Sequence, residues 1–136
     1  MADSLEPSFV EEMWGLADER AVELLSKPEQ MTKEYRFQSG RQGVVAWENV
    51  KIVLHGDADG REVELVASGH VRPQQMMNGN ESMIVLLISR GLHVGKETIL
   101  HFPNSAGNRY IPSNTHRLRL LTPLRDVDDI AIHVIG

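Results

Sequence analysis

His55, His70, His93, His101, His116 and His133 are the side chains best able to do acid–base or metal chemistry in this sequence. No two of them have H-x-H or H-E-x-x-H spacing, so a metal site would have to be assembled from distant segments. There is no cysteine, which removes thiolate zinc sites, disulfides and cysteine nucleophiles together. The expectation is no metal and no cofactor. Asp57, Asp59 and Gly60 start like a calcium loop, but the glycine comes too early and Ser68 stands where the bidentate glutamate belongs. A hairpin turn explains them better. Ser39 and Ser89 lack the G-x-S-x-G context of an activated nucleophile, and Gly40-Arg41-Gln42-Gly43 is too short to cradle a phosphate. Asp128 and Asp129 are adjacent carboxylates that a solvated turn explains without catalysis.

The arginines carry more. Arg117 and Arg119 have the two-residue spacing that puts both on one face of a strand, with Leu118 and Leu120 turned to the core. Arg109 and Arg125 flank that strand. Four guanidinium groups near one face could hold an anionic or nucleotide-like ligand. The plainer reading is a solvated strand face paired with acids. Net charge is −5, and residues 1–34 hold nine of the nineteen acids against Arg20, Lys27 and Lys33. An acidic chain of this kind is a poor nucleic-acid binder, since that binding rests on phosphate neutralisation.

These side chains must be positioned by one domain, because 136 residues is the usual size of one. Ser8 and Glu11 form a capping box ahead of an apolar stripe of Phe9, Val10, Met13, Leu16, Ala17, Ala21, Leu24 and Leu25. That predicts an amphipathic helix over about 9–26, inside an acidic segment 1–34. From residue 35 the period is that of strands. Residues 44–55 and 61–71 read as a hairpin about the Asp57–Gly60 turn, 82–89 as a strand buried on both faces, and 90–95 as a turn. Residues 96–102, 115–121 and 130–135 complete about six strands. The expected fold class is α+β, mainly β: the helix, then an antiparallel sandwich or barrel over 35–136. Met76 and Met77 sit in a polar loop, where flexible thioethers suit protein contacts or fold back on the core. The N-terminus lacks a signal-peptide core, and no apolar run is long enough for a membrane helix, so a cytoplasmic location is expected.

Arg36 and Arg41 ahead of the first long strand, with Leu92-His93-Val94-Gly95-Lys96-Glu97 as a late turn, resemble PilZ-type β-barrels at a generic level. The resemblance covers about half the chain and would imply binding of cyclic di-GMP. That family's marker is R-x-x-x-R followed by [DN]-x-S-x-x-G. Here the two arginines are five apart, and Asn80-Glu81-Ser82 runs into Met83, Ile84 and Val85 with no glycine. The residues that carry binding in that family are therefore not intact here.

The reading that follows is a non-enzymatic protein-binding or assembly subunit, with a protein partner or a second copy as its target. It would act through the stripe of Phe9, Met13 and Leu16, through Met76 and Met77, and through a sheet edge at the final strand. The alternatives are an anion binder using Arg109, Arg117, Arg119 and Arg125, and an enzyme with a fold-assembled His/carboxylate site.

Overall fold

The computed structural model describes residues 29–136. The helix expected over 9–26, and with it Phe9, Met13 and Leu16, lies outside the described residues. Eight strands follow in order: β1 (Gln30–Gln42), β2 (Val45–Asp57), β3 (Glu62–Pro73), β4 (Ser82–Ser89), β5 (Leu92–His101), β6 (Arg109–Tyr110), β7 (Thr115–Arg119) and β8 (Asp129–Ile135). A short 3-10 turn, Leu124–Asp126, precedes the last strand. All pairings are antiparallel. One sheet runs β1-β2-β3, with β6 and β7 both on the far side of β3; the other runs β5-β4-β8.

Local sequence explains the tight joints. Arg90 and Gly91, at φ 52° and 81°, make the two-residue turn between β4 and β5, where paired positive φ values match strand twist. The turn expected over 90–95 is therefore shorter, confined to Arg90 and Gly91: Leu92 already pairs with Ser89, and the strand begins there. In the middle of β2, Asn49 adopts φ 54° and the register with β3 shifts between Glu48 and Lys51. This bulge lets Trp47 and Val50, three residues apart, both face the core. Gly69 lies against it on β3 at φ 146°, where a Cβ would come within 2.8 Å of Val50 Cα. Only glycine fits there.

The two sheets enclose one core. Val45, Trp47, Val50, Ile52 and Leu54 of β2 and Val63, Leu65 and Ala67 of β3 meet Met83, Val85 and Leu87 of β4, with Phe102, Leu120 and Leu124 filling the ends. Each such side chain contributes about 1.5–3 kcal/mol on leaving water.

The sheets do not close into a barrel. At one margin a single backbone bond, Leu121 N–H to Val94 C=O at 2.8 Å, bridges them. At the other margin β1 and β8 lie near each other without backbone pairing. Two strands exceed the expectation. β6 is a two-residue pairing inside the loop expected over 103–114. β1 starts at Gln30, ahead of the boundary expected at residue 34, and it contains Arg36 and Arg41 rather than following them.

Candidate functional site

The fold does not bring the four arginines together. Arg109 pairs opposite Val71 and Arg119 opposite Glu62, at the two ends of β3. Nine residues of strand, about 30 Å, separate those positions. Arg109 is turned into its own loop, donating to Ser105 Oγ at 3.2 Å and to Gly107 C=O at 3.3 Å. Arg117 and Arg119 do share the outer face of β7, while Leu118 packs on the core and Leu120 is buried. Each meets a carboxylate across the strand pair: Arg117 with Glu64 at 3.5 Å, Arg119 with Glu62 at 2.6 Å. Arg125 is held by Asp59 at 2.9 Å and Glu29 at 3.4 Å, and those hydrogen bonds raise its pKa further. An open depression of about 310 Å³ beside Arg117 is faced by Asp57, Glu62 and Glu64 as well as His55. Three carboxylates against one guanidinium and one imidazole disfavour an anion there.

The methionines divide. Met77 is buried in the core at 2% exposure, while Met76 is 64% exposed. Its neighbour in sequence thus covers the core, and Met76 alone is free for contacts.

Among the described residues no group of three or more His, Asp or Glu side chains could hold a metal ion. The fold assembles two His–carboxylate pairs among the described residues: His70 Nδ1 lies 3.4 Å from Glu48 Oε1 across β2 and β3, and His116 Nδ1 lies 3.1 Å from Glu97 Oε2 across the margin between β5 and β7. His116 Nε2 is buried without a hydrogen-bond partner among the described residues. Among the described residues no nucleophile is hydrogen-bonded to that ring, so the His116–Glu97 pair has the form of a structural tie. Strand spacing could not have revealed it, because the two residues lie on different sheets.

The edges of the sheets hold the most distinctive chemistry. Among the described residues β8 is an edge strand, paired only with β4. The backbone of Val134 points outward: its N–H donates to Gln42 Oε1 at 2.8 Å and its C=O accepts from Gln42 Nε2 at 2.9 Å. The Gln42 amide thus imitates the backbone of a neighbouring strand. By alternation Ile130 and Ile132 also point outward. The N–H of Ile130 is taken by its neighbour's carboxylate, Asp129 Oδ1, at 2.8 Å. Just before β8, Lys33 Nζ donates to the carbonyls of Arg125 and Val127. Desolvation lowers the pKa of Lys33 against the pull of Asp126 and Asp128. The edge expected to be open is therefore largely satisfied from within, leaving Ile132 as its one fully free outward residue among the described residues.

β1 is the reverse case. Ala58 N–H donates to Glu29 C=O at 2.7 Å, which sets the phase of the strand: odd residues turn their backbone to β2. Gln30, Thr32, Glu34 and Arg36 therefore turn theirs outward. Among the described residues none of these N–H or C=O groups has a hydrogen-bond partner. The side chains of the same four residues are exposed, whereas Met31, Lys33, Tyr35 and Phe37 are half-buried toward the core. Glu34 and Arg36 form an ion pair along the strand at 2.5 Å.

No protein-family model, no curated protein and no solved structure matches this chain.

Proposed function

We propose that this protein is a non-enzymatic assembly domain whose free β1 edge pairs with the β1 edge of a second copy. One observation carries the reading: four consecutive outward-facing residues, Gln30, Thr32, Glu34 and Arg36, leave their backbone groups unpaired among the described residues, while on the β8 edge Gln42 and Asp129 satisfy Val134 and the Ile130 N–H. Natural sheets protect edges they do not use, and an unprotected edge is a template for another strand.

The charge pattern favours a second copy. Two β1 strands placed antiparallel about Tyr35 set Glu34 of each copy opposite Arg36 of the other. Each such cross-strand pair contributes about 0.2–1 kcal/mol, and the backbone bonds add to it. An antiparallel two-fold contact of this kind closes on itself and yields a dimer.

Sedimentation over a range of concentrations tests this. Wild type should show a monomer–dimer equilibrium. Glu34→Pro removes an outward N–H that the chain's own sheet does not use, and edge positions tolerate proline. It should remain cooperatively folded and monomeric. Glu34→Arg should also weaken the dimer by opposing like charges, and Glu34→Arg with Arg36→Glu should restore it. A wild type that stays monomeric at the highest concentration, or a Glu34→Pro chain that dimerises as well as wild type, overturns the reading.

A further inference from the structure

The outer face of the β5-β4-β8 sheet is unusually apolar along its middle. Met83, Val85 and Leu87 of β4 point into the core, so Ile84, Leu86 and Ile88 point away from it. Ile84 is only 4% exposed, yet it stands outside the core cluster. Its in-register neighbours Thr98 and His133 are both exposed, and no described strand stacks over that face. A three-residue apolar strip on a central strand, with its deepest member as buried as the core, marks a surface that receives something.

We propose that this face is the docking site for the chain's own residues 9–26. Three observations select that occupant. The first is where the segment must start. Glu29 is fixed beside the entrance to β8, with its carboxylate 3.4 Å from Arg125 and its C=O bound by Ala58 N–H. Arg125 lies four residues ahead of Asp129, the first residue of β8. The chain outside the described residues thus joins the fold at one corner of this sheet. The second is length. Eighteen helical residues span about 27 Å, and the eight residues of β4 span about 26 Å. The apolar residues at spacings of three and four then run the length of the strip, with Leu24 and Leu25 over Ile88, Ala17 and Ala21 over Leu86, and Met13 over Ile84. Alanines fall at the middle, where a close approach needs small side chains.

The third is charge. Residues 1–28 hold seven acids, Asp3, Glu6, Glu11, Glu12, Asp18, Glu19 and Glu23, against Arg20 and Lys27. The strip is bordered on β5 by His93, Lys96 and His101 and on β8 by His133, with Asp129 the one acid in register. Lys96 and the bordering imidazoles can each meet a carboxylate, which suits an acidic segment lying along this face. An isolated helix of this length is marginal in water, so its apolar stripe gains its stability from such a surface.

The inference is independent of the β1 edge and has its own readout. Because the chain has no cysteine, paired replacements report proximity without background. Oxidised full-length chain carrying Ala17→Cys and Leu86→Cys should form an intrachain disulfide, seen as a faster-running monomer whose yield is unchanged on tenfold dilution. Ala17→Cys with Val53→Cys, which places the second thiol on the outer face of the other sheet, should not. Equal cross-linking of both pairs, no cross-linking of either, or disulfide-linked dimers in place of monomers would overturn the proposal; the last would seat the segment on a second copy. Hydrogen exchange on chains without added cysteine gives a second reading. Amides of 9–26 should be protected in wild type and lose that protection in Leu86→Lys while those of β4 keep theirs. Unprotected wild-type amides, or protection that survives Leu86→Lys, count against it. Glu34→Pro should leave the cross-link unchanged, so failure of the edge reading and failure of this one are separable.

Discussion

Replacing Gln42 with alanine removes both hydrogen bonds that hold the outward backbone of Val134, at 2.8 and 2.9 Å. A net hydrogen bond between neutral groups contributes about 0.5–1.5 kcal/mol. The Gln42 side chain is exposed and water can replace part of each bond, so the low end applies and the pair contributes about 1 kcal/mol. For a domain near one hundred residues that lowers Tm by about 4–8 °C. The local effect should exceed the global one. The Val134 amide should exchange faster in Gln42→Ala, because its acceptor is gone, while the buried strand β4 stays protected. Gln42→Glu separates the two bonds. Its carboxylate still accepts from the Val134 N–H but faces the Val134 C=O with a negative charge, so near neutral pH it should be no more stable than the alanine variant. Acidification through the carboxylate range, near pH 4, restores a proton donor and should recover part of the loss. Scanning calorimetry and amide exchange by NMR read both quantities. A Gln42→Ala chain that melts with wild type and leaves Val134 exchange unchanged would show that this amide does not guard the edge.

Two other changes probe the core and the alkaline range. Val85 is fully buried in β4, so Val85→Asp sets an unpaired carboxylate in the core, at a cost comparable to the total stability of about 5–15 kcal/mol; circular dichroism should show no cooperative melt, and a wild-type melt would refute the packing. The pKa of Tyr35 is raised by burial first and then by Asp129 and Asp128, so above about pH 10 the unfolded chain loses the phenolic proton before the folded one does. That contribution to stability is complete below pH 10 and is lost as pH climbs toward the raised value. Urea midpoints followed from pH 8 to 11 should therefore fall less steeply in Tyr35→Phe than in wild type; parallel curves would contradict it. Lys33, whose pKa is lowered, works in the opposite direction but is present in both chains and does not enter the difference.

Much of the β-architecture was legible because short-range rules set it. The alternation of Val63, Leu65 and Ala67 and the Asp57–Gly60 turn gave the β2–β3 hairpin within two residues of its observed bounds. The apolar run at 83–88 gave β4, although only its odd residues point into the core. β1 escaped notice for a physical reason. None of its residues is fully buried, and its inward face mixes Lys33 with Met31, Tyr35 and Phe37, so the two-residue period is masked by one charge. Leu92 and His93 were read as turn because both are exposed at the start of an edge strand.

The sequence by itself determined six of the eight strands, the antiparallel order and the absence of any local catalytic motif, because turn chemistry and alternation act over a few residues. Only tertiary structure decided which outward backbone groups are satisfied from within. That depends on Gln42 reaching Val134 and Lys33 reaching Val127, pairs separated by 92 and 94 residues. It also decided that Arg117, Arg119 and Arg125 each meet carboxylates brought from other segments, while Arg109 stands at the far end of β3. No local pattern encodes such partners, since chain folding sets the distance between residues far apart in sequence and a side chain's chemistry follows from what it is folded against.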